Sequence, residues 1–350
     1  MIKTSFAGLL AGVLTVLFTS AKPVQPEDYT KYVNPFVCAS EFGHCFPGAC
    51  VPFGLIQVGP ETGNCSWAYC SGYQSTDSTI NGFSQDRLNG TGCPDLGDLL
   101  MLPFTGNPVR KNYNSKFKKG QEQASPGYYS VVLTDFGVKA EMTAAEHTAI
   151  HKYLFQGNEP SHLLIDFQSG MVFNDNVLRE HVLDAKVTLE SDKVISGFCR
   201  TSVWLDRTYY YLIEFSRPIT GRRELPKQDA REKAPRMVFD FDLKPGEELL
   251  VKVALSSTGI ENARKNLQAE IPEWEFDKVC REGRAKWNKL LSRIQVEGTR
   301  EQKDIFYTSM YHLFIQPNNI ADVGEGELLH DCKPCRSGHR GRLPERLQGI

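Results

Sequence analysis

Several signatures of common chemistries are missing from this chain. There is no G-x-S-x-G to present a serine nucleophile, no H-E-x-x-H for a zinc protease and no G-x-x-x-x-G-K-[ST] to cradle phosphates. The run "GTGCPDLG" fails the G-x-G-x-x-G fingerprint too, because Asp95 stands where the third glycine should be. Excess positive charge is also missing: 40 Lys and Arg against 42 Asp and Glu leave −2. No long basic stripe offsets that balance, so nucleic acid is excluded as the expected partner. No apolar run of membrane length follows the first residues, and there is no internal repeat or low-complexity tract. With 41% hydrophobic and 23% charged residues, the composition is that of a globular protein, of one large domain or two ordinary ones.

The first residues read as a signal peptide over 1–21. Lys3 supplies the positive start, Phe6 to Phe18 the apolar stretch, and Thr19 to Ala21 a small-residue cleavage site. No Cys stands at that site to carry a lipid, so the mature chain is expected to be secreted or periplasmic, free of the membrane. Ten cysteines in an exported chain predict some disulfides. Cys38, Cys45, Cys50, Cys65, Cys70 and Cys93 crowd into the first third, and their connectivity is open. Asn64-Cys65-Ser66 and Asn89-Gly90-Thr91 are formal glycosylation sequons.

From about Lys31 to Ser257 the chain reads as short strands between turn signals. "GYYSVVLT", "HLLIDF", "AKVTLE", "TYYYLIEF", "MVFDFDL" and "ELLVKVAL" are β-branched and aromatic runs bounded by Gly, Pro, Asp or Ser. Such strands without intervening amphipathic helices predict a large antiparallel β-sandwich. Near Gly259 the period changes. "IENARKNLQAE" predicts a short helix, and a second places Phe276, Val279, Cys280, Trp287, Leu290, Leu291 and Ile294 at helical spacing, with Pro272 at its start. A third, stopped by Pro317, sets Ile305, Phe306, Met310, Leu313 and Phe314 on one face. The boundaries expected are 22–258 for the sandwich, 259–298 for linker helices, 299–320 for the first helix of a helical domain, and 321–350 for a divergent, disordered tail.

Chemistry is hardest to place. In the tail, His330, Cys332, Cys335 and His339 mimic zinc-ligand spacing without the folded loop that separates real ligand pairs. His147 and His151 are four apart, but "EMTAAEHTAIHKYLF" reads as strand and hairpin, where they are packed or surface residues. Most unusual is "RLNGTGCPDLGDLLMLP", Arg87 to Pro103, with three glycines, a proline and two aspartates ahead of an apolar strand. Glycine permits backbone angles closed to other residues and lets another group approach the main chain. A polar loop on a rigid strand is where binding groups sit. The alternative is a structural turn whose aspartates cap backbone N–H groups.

Three stretches together resemble glycoside hydrolase family 92. They are "YVNPFVCASEFGHCFPGACVPFGLIQVGPET" (Tyr32 to Thr62), "GYQSTDSTINGFSQDRLNGTGCPDLGDLLMLP" (Gly72 to Pro103) and "WNKLLSRIQVEG…FYTSMYHLFIQPN" (Trp287 to Asn318). The resemblance implies a secreted, calcium-dependent, inverting exo-α-mannosidase acting on N-glycans or mannan. It further implies a mainly β fold: a large antiparallel β-sandwich, then linker helices and the first helix of an incomplete (α/α)6 barrel. The catalytic acid, the base and the calcium ligands would come mainly from the barrel, so no catalytic or metal residue is expected in this chain. The sandwich loops would wall the terminal-mannose pocket, a role carried over to His44, Phe46, Gly48, Arg87, Gly90, Thr91, Gly92, Asp95 and Asp98, with Asp98 the foremost candidate for a structural role.

The sequence departs from the family in two places beside that pocket. Family members often carry a glycine-rich "GTGGHGH"-like run where this chain has Cys38 to His44, and a His near Asp86-Arg87. A third departure is length. After "NNIADV" the chain resembles nothing in the family, as a truncated or frame-shifted reading frame would, and such a chain alone is expected to be inactive. The alternative is a stand-alone carbohydrate-binding sandwich without hydrolytic activity.

Overall fold

A computed structural model describes residues 27–324. The expected signal peptide and the His330–His339 grouping lie outside them.

Two antiparallel sheets face one another. The six-stranded sheet runs in the order Gly59–Glu61, Gly82–Ser84, Leu100–Thr105, Ser161–Asp166, Arg236–Phe241, Gly221–Glu224. The eight-stranded sheet runs Val182–Ser191, Val194–Ser202, Asp206–Phe215, Glu248–Ser256, Thr148–Phe155, Val138–Ala144, Tyr128–Leu133, Glu122–Ser125. Each of the six apolar runs singled out in the sequence lies on one of these strands. Between the sheets is a core of Val58, Phe83, Met101, Phe104, Tyr129, Tyr153, Leu163, Tyr211, Phe239 and Val253, among others. Register explains why Arg236–Phe241 is less polar than simple alternation predicts. Leu164 pairs with Val238 and Leu163 with Phe239 in the sheet's interior, and Val238 and Phe239 are both buried.

Four α-helices are present among the described residues: α1 (Asp175–Glu180), α2 (Ile260–Glu270), α3 (Phe276–Leu291) and α4 (Arg300–Leu313). The first, a single short turn capped by Asn174, carries no signal in the sequence reading. Helix α2 has the limits predicted for it. Helix α3 begins at Phe276 rather than at Pro272, whose carbonyl instead accepts a 2.8 Å bond from Lys252 Nζ and ties the connection to the sheet. Ile294 falls beyond α3 and is exposed.

The face expected for α4 is corrected in part: Met310 is buried and Phe306 and Phe314 pack on the same core, but Ile305 and Leu313 do not. Ile305 and Leu313 are 63% and 69% exposed, and the buried side is Tyr307, Thr308, Met310 and Tyr311. Aromatic packing decides this orientation. Tyr307 lies 5.1 Å from Tyr29 and 5.4 Å from Tyr32, and Tyr311 lies 4.4 Å from Trp287, ring to ring. Thr299 and Gln302 close a reciprocal capping box at the start of α4. This second core, which also takes in Phe46, Cys50 and Leu291, clamps the helices to the segment that leads into the glycine-rich loops.

Candidate binding loops and their support

The Arg87–Asp98 stretch connects the strands Gly82–Ser84 and Leu100–Thr105. An isolated bridge between Arg87 and Leu96 pinches it into a hairpin, reinforced by Gly97 N–H to Asp86 O at 2.9 Å and Gln85 N–H to Asp98 O at 3.0 Å. At its tip Gly90 is exposed with φ +69°, a conformation that needs glycine, and Thr91 and Gly92 are half-buried beside it. The second stretch, Cys38 to Gly48, lies against this tip. Gly90 N–H donates to His44 O at 2.7 Å, and Phe46 N–H donates to Asn89 Oδ1 at 3.2 Å. Residues more than forty apart in sequence thus form one double loop.

The nine residues expected to face a sugar divide into two groups. His44, Gly90, Thr91 and Gly92 lie at or beside the tip. His44 is buried with Nδ1 lacking a protein partner, and burial lowers its pKa. Gly92 borders the half-exposed Trp67, whose ring stacks on Phe173 at 5.9 Å. Phe173 in turn meets Trp204 edge-on at 5.3 Å, so an aromatic row runs outward from the loop.

The side chains or packing of the other five are turned to internal protein partners. Phe46 is fully buried, and its ring is covered by the Arg87 guanidinium at 5.2 Å. Gly48 packs so tightly that a Cβ there would lie 2.3 Å from Val58 O. Arg87, 1% exposed, donates to Pro60 O (3.0 Å), Ser71 O (2.7 Å), Gly59 O (2.7 Å) and Ser84 Oγ. Asp95 Oδ1 accepts from Leu96 N–H at 2.8 Å, and Oδ2 accepts from Trp204 and Leu205 N–H at 3.1 and 3.2 Å. It therefore holds the bend that joins two strands of the other sheet. Asp98 is ion-paired with Arg207, which also reaches Asp86 at 3.5 Å. Burial works against the Arg207 charge, but Asp98 and Asp86 outweigh it and keep the guanidinium protonated. The capping reading of the aspartates thus describes Asp95, and an ion pair describes Asp98.

Sequence reasoning missed Asn89, Arg207 and Glu61. None had a local signal, since their partners come from distant segments. Glu61 is 1% exposed with neither carboxylate oxygen hydrogen-bonded, and burial raises its pKa to about 7 against the pull of Arg87. It is sealed beneath the loop.

His151 is packed, as its strand position predicted. It bonds Gln85 Oε1 and Tyr153 Oη, both at 2.9 Å, and burial pushes its pKa down to about 3. An unfolded histidine takes up a proton near pH 6.5 while this one stays neutral, so stability is lost as pH falls from about 6.5 toward 3. The loss reaches about 4 kcal/mol by pH 3. Thermal melts of H151Q are expected to show a flatter acid limb than the unaltered protein.

Among the described residues, one group has the look of a metal cluster: Glu146, His147 and Glu270. Its donors do not fit calcium, which takes six to eight oxygens, at ~2.3–2.6 Å. Glu270 is already occupied by His147 Nδ1 (2.7 Å), His147 N–H (2.9 Å) and the Thr148 hydroxyl (2.7 Å).

The fold and loops define a two-sheet antiparallel sandwich that presents a glycine-rich double loop and passes into helices. Residues 32–256 match the glycosyl hydrolase family 92 N-terminal domain, and residues 262–337 match the family 92 catalytic domain. The chain belongs to glycosyl hydrolase family 92. Similar solved structures include the family GH92 α-mannosidase BT3965 from Bacteroides thetaiotaomicron, seen in complex with mannoimidazole. It is 32% identical, with a TM-score of 0.76 over 85% of this chain and 41% of that one. The family glycosyl hydrolase ccman5 is 26% identical, with a TM-score of 0.73 over 85% and 42%. An uncharacterized secreted glycosidase of Arthroderma benhamiae is 25% identical over 91% of this chain and 46% of its own length. The chain therefore spans less than half the length of these relatives.

Proposed function

We propose that this chain supplies the sandwich side of an α-mannosidase sugar pocket. In this reading His44, Gly90, Thr91 and Gly92 face a terminal α-mannose of an N-glycan or mannan. Phe46, Gly48, Arg87, Asp95 and Asp98 hold those residues in place. The observation that carries the reading is the bond from Gly90 N–H to His44 O, which fuses two loops into one polar rim, exposed at Gly90, on a rigid base. Backbone groups freed of side chains at Gly90 and Gly92 can approach sugar hydroxyls closely, and Thr91 offers both a donor and an acceptor.

The loop carboxylates Asp95 and Asp98 are already bonded to protein groups. That supports a binding role for the loop, with the acid and base of an inverting displacement, and any calcium, supplied by the helical domain. The relative named as secreted and the charged, apolar and small-residue pattern of residues 1–21 support export.

Titration of methyl α-mannoside tests this. Thr91→Val is expected to weaken binding about tenfold by removing a hydroxyl partner. Asp95→Ala is expected to weaken it by a similar factor by releasing the Trp204–Leu205 bend. Unchanged affinity in both variants would remove the loop from the site. The row Trp67, Phe173 and Trp204 favours a second reading, saccharide binding without hydrolysis, because half-exposed indoles are stacking surfaces for sugar rings.

A further inference from the structure

The loop "CASEFGHC" begins and ends on a cysteine, and its backbone closes on itself: Cys45 N–H donates to Cys38 O at 3.1 Å. A backbone bond between the two residues draws their Cα atoms together, as a disulfide closing over roughly 4.4–6.8 Å requires. Both cysteines line the same cavity of about 500 Å³, together with Tyr32, Arg300 and His312. Both are free thiols in this structure, Cys38 exposed and Cys45 buried, so a reagent reaches one thiol and the other waits behind it. The Cys45 thiol donates to Gly43 O at 3.6 Å, and burial, with Cys38 as a neighbour, pushes it up to about 12. The loop also carries three non-glycine residues with left-handed backbones, Cys38 (φ +59°), Glu41 (φ +52°) and His44 (φ +52°). Such a conformation persists where surrounding structure enforces it.

We infer that Cys38 and Cys45 form a disulfide that staples the His44 loop against the Gly90 tip. The oxidant is a disulfide-bearing compound or oxidoreductase of the oxidising compartment. The Cys38 thiolate attacks one sulfur of that disulfide and releases one reduced thiol. Cys45 then loses its proton, attacks Cys38 Sγ in the mixed disulfide and releases the second. Two protein thiols and one external disulfide become one protein disulfide and two external thiols. Because Cys45 resists ionisation, the second step is the slower.

The test is to expose the purified full chain to oxidised glutathione, block free thiols, digest with a protease that cleaves after glutamate and map without reduction. Cleavage at Glu27, Glu41 and Glu61 separates the two cysteines into Asp28–Glu41 and Phe42–Glu61, which remain linked only through a disulfide. The expected result is that linked pair, retained in Cys50→Ser. In Cys45→Ser the pair disappears and glutathione stays on Cys38. Reduction is expected to speed hydrogen exchange at the Gly90 amide several-fold and to lower Tm by about 4 °C. Blocked, unlinked Cys38 and Cys45 after oxidation, or a Cys38 link to another cysteine, overturns the assignment. The mapping needs no sugar, so its failure leaves the binding reading standing.

Discussion

Replacing Arg87 with methionine is expected to destabilise the protein by about 3–5 kcal/mol, because several buried acceptors are left unpaired. Four acceptors, Gly59 O, Pro60 O, Ser71 O and Ser84 Oγ, lose their donor at once. Glu61 beneath them loses its nearby positive charge. The effect depends on pH, and its sign follows from the carboxyl. Burial already raises Glu61 to about 7, so the folded state holds its proton above the ordinary carboxylate range and stability falls as pH rises from about 4.5 to 7. Without Arg87 the folded pKa rises further, and the decline continues above pH 7. Denaturant unfolding of R87M is therefore expected to show a larger deficit at pH 8.5 than at pH 6. Arg87→Lys is not expected to restore stability, since an ammonium cannot reproduce the two-pronged contacts made by Nη1 and Nη2. A deficit below 1 kcal/mol at both pH values would mean that the loop stands without its guanidinium.

Trp287→Ala is expected to cost a similar ~3–5 kcal/mol, as truncation of a large buried aromatic does. The indole is fully buried, packs on Tyr311 at 4.4 Å and donates from Nε1 to Cys50 O at 2.7 Å. Its loss opens the core between α3, α4 and the segment that carries Phe46. The expected fall in Tm is about 6–10 °C. Trp287→Phe keeps most of the packing and loses the hydrogen bond, so it separates the two contributions. A fall of about 2 °C for Trp287→Phe would assign most of the effect to packing. Equal falls for both variants would assign it to the Cys50 bond. The Cys50 carbonyl lies two residues past Gly48, so helix docking and loop placement are mechanically joined. Trp287→Ala should therefore also speed exchange at the Gly90 amide.

Most of the scaffold was legible because its signals are local. The six apolar strand runs lie on strands, and α2 keeps the predicted limits Ile260 to Glu270. The misreadings come where distant segments decide. Helix α4 turns Tyr307 and Tyr311 inward because Tyr29, Tyr32 and Trp287 wait for them, a preference that spacing on α4 alone cannot carry. Helix α3 starts late because Lys252, on the adjoining sheet, holds Pro272.

The site shows the same limit. The double loop could be located from its glycines, yet the functions of its charged residues could not be sorted. Arg87 and Asp95 look like sugar ligands in a one-dimensional reading, since arginine and aspartate are common binding groups, and only Asp98, at the strand start, reads as structural. Their partners lie up to about a hundred residues away, and only folding reveals that those partners already occupy them. Asn89 escaped notice within a sequon, although its side chain fastens one loop to the other.

The central claim is that the fused tip of these loops receives the sugar. Hydrogen exchange of the full chain with and without saturating methyl α-mannoside tests it most directly. The predicted result is slower exchange at Gly90 to Gly92 and at His44, with the remote strands Val182–Ser191 and Val194–Ser202 unchanged. Protection on those strands alone, or none while mannoside binding is measurable by titration, would contradict it.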